Sequence, residues 1–344
     1  MDDAGRLERA QQLELDVVAP KALEQASTLA EQHRDQVQLD RVERRDCRVP
    51  RSLETGNARN RIRRPGDDEA MPCEVHFTED ASDALSACEP YLISRPVEHN
   101  VVLTVLRRRA TDPTEGRYWW IDDEGTVVGF AMQSPLSFHG AITPMTPSAT
   151  QSLVDVVSET VPDLPGVASD AASAASFAGN WAERLRIPVT PVEAQRIYRL
   201  VALHPPEGVP GRFRPAEDAD RDTLVAHRVS FHTDTREPGE LDAAAAVERS
   251  LRRCFVWDDG GVVASAVATI PEAGVVRVGV VYTPPEHRRR GYASALVAAT
   301  SAWAREQDHS DCILYTQLAN PTSNAIYRAI GYQPVAEVLR YRFG

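Results

Sequence analysis

The sequence predicts an α/β (α+β) chain of two tandem units, each a mixed, mostly antiparallel sheet flanked by helices, behind an N-terminal extension that is disordered or loosely helical. Three observations lead there. All 8 Phe, 5 Trp and 9 Tyr lie after Met71, so residues 1–70 have no aromatic side chain with which to fill a core. Further on, WIDDEGTVV (120–128) and VWDDGGVVA (256–264) align so that Asp122, Asp123, Gly125 and Val127 match Asp258, Asp259, Gly261 and Val263 at an offset of 136. Phe77 in VHFTEDASDA and Phe213 in GRFRPAEDADR share that offset, each in a short strand leading to an Asp/Ala-rich helix start. The units are then residues 71–205 and 206–344, joined by the breaker-rich HPPEGVPG of residues 204–211.

Residues 5 to about 45 are rich in Leu, Ala, Glu, Gln and Arg, which suits a solvated helix, and RNRIRRPGDDEA (59–70) reads as linker or disorder. The extension is either a coiled-coil or partner-binding arm or a poorly ordered leader. In one version of the latter Met71 is the native start, which mass spectrometry of the natively expressed N-terminus decides. In the first unit, residues 120–128 form a strand, a tight acidic-glycine turn and a strand. In the second, Phe213 opens a strand, and residues 218 to about 231 and 241–252 read as helices. Residues 254–257, 262–270 and 275–282 are three successive strands of a meander. A helix over 291–305 follows, with Ala293, Leu296, Val297 and Trp303 as its apolar stripe. A strand at 312–316, a helix at 323–330 and a last strand near 335–342 complete the chain.

With 344 residues, 42% of them hydrophobic, the chain is long enough for two ordinary cores. A net charge of -12 argues against a nucleic-acid binder, which needs a basic face for phosphates. Five cysteines, never spaced as CxxC, indicate neither a disulfide framework nor a zinc site, so no metal is expected. The start MDDAGRLERA is not a signal peptide and no long apolar run spans a membrane, which leads to the expectation of a soluble, cytoplasmic protein. Oligomeric state is left open.

Against this acidic background PPEHRRRGYASALV (284–297) needs a local explanation. Lying between a strand end and the first turn of a helix, it offers unpaired backbone amides at the positive end of a helix dipole. Gly291 permits close backbone approach, and Ala293 keeps the helix start thin enough for a diphosphate. A solvated turn or a nuclear-localisation-like patch is the alternative for the arginine triplet alone.

The triplet is joined by a second segment. Arg288-Arg289-Arg290-Gly291-Tyr292-Ala293 fits Arg/Gln-x-x-Gly-x-Gly/Ala, and Asn320 to Tyr332 fits Asn-x-x-(Ala/Ser)-x-x-x-Tyr-x-x-x-Gly-(Tyr/Phe), about 30 residues later. In both motifs and their spacing the chain resembles the GNAT superfamily of acetyl-CoA-dependent N-acetyltransferases, closely over 210–344 and in outline over 71–205. The family often has glycine where Arg289 stands. The resemblance implies that acetyl-CoA is the co-substrate. Its diphosphate would lie on Arg288, Arg289, Arg290, Gly291, Tyr292, Ala293 and Ser294, and its pantetheine arm on Val281, Tyr282 and Thr283, with Asn320 opposite. It further implies that Tyr327 is the general acid for the departing thiolate. Core packing for Tyr327 and helix capping for Asn320 are the competing roles. His232, Glu237 and Glu272 border the expected acceptor site, but none is assignable as base, and His232 suits a surface position.

In the first unit AITPMTPSAT (141–150) has no arginine or glycine, and two prolines delete amide donors. SFAGNWAE (176–183) lacks the Asn-to-Tyr pattern. That unit is expected to be a degenerate copy that packs on the second and shapes the acceptor pocket. Two functions remain: N-acetylation of a small-molecule or peptide amine, and a non-catalytic acyl-CoA-binding or regulatory module. Nucleic-acid contacts by the arginine cluster are a third, disfavoured by the charge.

Overall fold

The computed structural model describes residues 73–235, 239–307 and 311–344; the expectations for residues 1–70 and for Glu237 lie outside them. The first ten elements are β1 (Glu74–Thr78), α1 (Ala81–Ser94), α2 (Asn100–Thr111), β2 (Arg117–Asp123), β3 (Thr126–Gln133), β4 (Gly140–Ile142), α3 (Pro147–Thr160), β5 (Gly166–Asp170), α4 (Ala171–Leu185) and β6 (Val189–Leu200). The same order then recurs as β7 (Arg212–Pro215), α5 (Arg221–Thr235), α6 (Ala243–Ser250), β8 (Cys254–Asp258), β9 (Val262–Ala268), β10 (Val275–Tyr282), α7 (Tyr292–Arg305), β11 (Asp311–Gln317), α8 (Pro321–Ile330) and β12 (Tyr332–Phe343).

The repeat seen in the sequence has a physical basis in its turns. Asp122 accepts a hydrogen bond from the Gly125 amide (2.6 Å), and Asp258 accepts one from the Gly261 amide (3.1 Å), so the same side chain closes the β2–β3 and β8–β9 hairpins. Helix starts are capped by acidic side chains as well: Asp80 takes the Ser82 and Asp83 amides, and Asp242 takes the Ala245 amide. Several boundaries differ from the sequence expectation, α5 running on to Thr235 and β12 starting already at Tyr332, and two of the differences have a plain local cause. β9 stops at Ala268, leaving Ile270 55% exposed before the turn at Pro271, and α8 starts at Pro321 because Asn320 is its cap.

The sheets are not separate. The twelve strands of the described residues form one sheet in the order β1-β2-β3-β4-β5-β12-β6-β11-β10-β9-β8-β7, antiparallel except at β4–β5 and β10–β11. Each half lends its last strand to the other. β12 pairs with β5 over Val338–Arg342, β6 pairs with β11 over Gln195–Arg199, and the two exchanged strands pair with one another along their whole length. Burial accounts for the exchange. Leu339, Tyr341 and Phe343 of β12 enter the first core, where Phe343 stacks on Trp181 at 5.1 Å, while Tyr198 and Leu200 of β6 enter the second.

Contacts outside the sheet also cross between the halves. Val97, in the α1–α2 corner, packs with Ile197, Val275 and Ile313, and Arg277 donates to Asn100 Oδ1 at 2.5 Å.

Candidate functional site

The site begins where β10 leaves β11. Their parallel register ends at Val278 and Leu314, although β10 runs on to Tyr282 and β11 to Gln317. The cause is a bulge. Val280 has φ +51°, and the pairing of β10 with β9 jumps from Gly279–Val267 to Tyr282–Ser265. A β-branched residue at positive φ is strained, and such strain persists only where surrounding structure imposes it. The last residues of β10 therefore turn backbone groups toward the gap instead of into a ladder. Val280 was missed in the sequence; Gly279 inside a valine-rich strand was the available signal.

Past Tyr282 the chain makes a 3-10 turn at Pro285–His287, passes Arg289 at φ +63° and Gly291 at φ +84°, and enters α7. Gly291 offers no side-chain cap, and the first helical bond is Ala295 N–H to the Gly291 carbonyl. The amides of Tyr292, Ala293 and Ser294 are thus the uncapped donors of the helix start. Thr283 Oγ1 and His287 Nδ1 are buried in the same loop and have no partner among the described residues. Polar atoms left without partners in a basic loop fit a bound anion.

The arginines divide their work. Arg288 donates to the Thr283 carbonyl and to Asp234 Oδ2, both at 2.9 Å, and lies 5.9 Å from the Tyr282 ring, so it clamps the loop to the end of α5. Arg289 and Arg290 are exposed. Tyr292 is buried and donates to Asp259 Oδ2 at 2.5 Å, which raises its phenol pKa, so at the helix start it offers only its amide. Val281 packs against the second core, and the Tyr282 ring lies 5.2 Å from His227.

Across the gap Asn320 caps α8, its Oδ1 accepting the Ser323 amide at 3.0 Å. Tyr327, two turns on, is 8% exposed and packs 6.3 Å from Tyr198 and 6.2 Å from Tyr332. Burial pushes its phenol up to about 12. Gly331 ends the helix at φ +107°, where a Cβ would collide with the Ala202 carbonyl. The loop and the α8 residues flank the β10–β11 gap from its two sides.

The candidate bases fare differently. Glu272 sits in the β9–β10 turn, at the other end of β10 from the loop, and is ion-paired with Arg107, which also holds Glu89. His232 is half-buried in the last turn of α5. A histidine that sequence reasoning missed, His227, is buried on α5 with Nδ1 at 2.9 Å from Ser265 Oγ, and burial pushes it down to about 4. Its place three residues after the buried Leu224 was the sequence signal.

The equivalent region of the first half is closed. Thr146 caps α3 with its own side chain, Ser169 Oγ donates to the Ile142 carbonyl (2.8 Å), Tyr91 donates to the Pro144 carbonyl (3.2 Å), and Ser173 accepts the Met145 amide (3.0 Å). Asp170 caps α4 as Asn320 caps α8, and seven residues on stands Phe177, without the hydroxyl of Tyr327.

Residues 218–332 match the sequence model of the Acetyltransferase (GNAT) family. The aminoglycoside N(6')-acetyltransferase type 1 of Serratia marcescens is 34% identical over 62 residues, which cover 18% of this chain and 42% of that enzyme. Among solved structures, an acetyltransferase from the GNAT family of Colwellia psychrerythraea (TM-score 0.54, 12% identity) covers 79% of this chain and 100% of its own. A GCN5-related N-acetyltransferase of Sphaerobacter thermophilus (TM-score 0.51, 13% identity) covers 79% and 96%. At these identities the structural likenesses speak for the fold, and both extend over more than one half of the chain. Among the described residues no His, Cys, Asp and Glu cluster is arranged to hold a metal, and no helix is long and apolar enough to cross a membrane.

Proposed function

We propose that the chain is an acetyl-CoA-dependent N-acetyltransferase acting on a small-molecule or peptide amine in the cytoplasm. In this scheme residues 206–344 are the catalytic domain, 71–205 a degenerate GNAT-like domain and 1–70 an extension. The observation that carries it is the uncapped, arginine-flanked start of α7 beside the β10–β11 gap. The diphosphate would take the amides of Tyr292, Ala293 and Ser294 with Arg289 and Arg290 at the rim, and Arg288 would fix the loop. The pantetheine arm would bond the Val281–Thr283 backbone, with the Asn320 amide nitrogen opposite.

The amine lone pair attacks the thioester carbonyl, the C–S bond of the tetrahedral intermediate breaks, and the amine proton passes to water. Tyr327 is protonated at every physiological pH. Transfer from a phenol near 12 to a thiolate near 8.5 is uphill by several kcal/mol, so its role is a hydrogen bond that strengthens as charge builds on sulfur. The acetylated amine of the Serratia relative makes an aminoglycoside a reasonable first acceptor to try.

Calorimetric titration and thermal unfolding with acetyl-CoA test the site. At ~100 times the dissociation constant the fold gains about 2.7 kcal/mol, roughly 5 °C for a chain of this size. No shift at millimolar acetyl-CoA would refute the proposal. The deep burial of Tyr327 favours a second function, a non-catalytic acyl-CoA-binding module. Tyr327→Phe separates the two, because an enzyme loses turnover by a factor of about 100 or more while acetyl-CoA affinity is kept.

A further inference from the structure

We infer that Tyr198, on the strand lent by the first half, and Asn324, on α8, are positioning residues that hold the Asn320 turn in the geometry needed for the pantetheine arm. The inference rests on the acetyl-CoA site proposed above. It is carried by one buried network. Tyr198 is 0% exposed and donates its hydroxyl to Asn324 Oδ1 at 2.8 Å. Asn324, 6% exposed, donates its Nδ2 to the Asn320 carbonyl at 2.6 Å and to the Gln317 carbonyl at 3.0 Å.

Those two carbonyls bracket the turn that joins the end of β11 to the cap of α8. Asn324 therefore ties together the strand end, the cap residue and a strand from the other half. Both of its N–H donors and one of its two acceptor sites are used, which fixes the orientation of the carboxamide. On the same strand, two residues before Tyr198, Arg196 pairs with Glu337 of β12. The ring of Tyr198 also lies 6.3 Å from that of Tyr327. The first half, whose own cleft is closed, thus supplies a part without which the second half's cleft is not fully shaped.

Simple core packing and positioning predict different outcomes. If Tyr198 only fills space, Tyr198→Phe lowers the melting temperature and leaves the folded protein's ligand affinity alone. If it positions the turn, Tyr198→Phe frees the Asn324 carboxamide to rotate, the turn loosens, and the Asn320 contact to the arm is lost.

The test is a double-mutant cycle on the full chain, with acetyl-CoA affinity measured by calorimetry well below each melting temperature. Tyr198→Phe and Asn320→Ala are each expected to weaken binding roughly tenfold, and the double variant is expected to bind no worse than Asn320→Ala alone. Asn324→Asp, which keeps Oδ1 but removes the donor to both carbonyls, supplies a second route to the same loss should Tyr198→Phe fold poorly. Wild-type affinity in Tyr198→Phe and Asn324→Asp, or additive losses in the cycle, would overturn the positioning role while leaving the cofactor site standing. No acetyl-CoA binding by the wild-type chain would remove the site itself and the inference with it.

Discussion

Cutting the chain at residue 206 is the most informative perturbation, because the exchanged strands make each half incomplete. A 206–344 fragment loses β6, so Tyr198 and Leu200 disappear from the second core. Leu339, Tyr341 and Phe343 of β12 lose Phe177 and Trp181, the aromatic floor of the first core. Burial of each large side chain is worth roughly 2 kcal/mol, so the five together represent a loss of order 10 kcal/mol, before the cost of the hole left in the second core. That matches the whole stability of an ordinary domain, about 5–15 kcal/mol.

The fragment has one escape. β12 could slide into the place of β6 beside β11, because the two strands occupy equivalent positions in the repeat. Tyr341 and Phe343 would then stand in for Tyr198 and Leu200. Arg340, however, would enter the slot of Ile197, which packs with Val275 and Ile313, and its partner Glu193 would be absent. An unpaired buried guanidinium costs several kcal/mol. The fragment is therefore expected to be unfolded or molten by far-UV circular dichroism and urea titration, and to bind no acetyl-CoA by calorimetry. A cooperative urea transition with full acetyl-CoA binding would refute the reasoning and show that the first half is dispensable.

Three further outcomes follow from local geometry. Gly291→Ala places a Cβ 3.0 Å from Val209 Cγ2 at a φ of +84°, which should cost about 1–2 kcal/mol of stability and weaken acetyl-CoA binding, as thermal unfolding and calorimetry would report. His227 is held near 4 against an ordinary 6.5, so the unfolded chain binds the extra proton first; stability is full above pH 6.5 and falls toward pH 4, by about 3 kcal/mol from this residue. His139, also pushed down to about 4 by burial, acts in the same direction, so His227→Gln should reduce the acid sensitivity of the urea midpoint without abolishing it. Asp220, buried and bidentate to Arg214 at 2.7 and 3.0 Å, has its carboxyl held below the usual range by that guanidinium. Asp220→Asn should cost roughly 3 kcal/mol at neutral pH in chemical denaturation, with the difference from wild type shrinking as pH falls through the carboxylate range.

Much of the second half was legible in the sequence because its signals are local. The turn at Asp258–Gly261, the cap at Asn320, the glycine at 291 and the strand-to-helix loop each depend on a few neighbouring residues, and backbone sterics give them one meaning. The exchange was invisible. β6 and β12 carry patterns that fit an outer strand of their own unit as well as a neighbour's, and period-two alternation says which face is buried but not which strand lies alongside. The pairing of Glu272 was hidden for the same reason: its partner Arg107 stands 165 residues away.

By itself the sequence determined the element types of the second half, the repeat and the glycine-led turn into α7, since propensity, capping and glycine conformation are written in short segments. Tertiary structure alone decided that twelve strands make one sheet, that Val280 forces β10 from β11, and that Tyr198 reaches Asn324 across the halves. Those outcomes turn on which distant side chains fill the two cores best, and burial is a property of the assembled chain that no short segment carries.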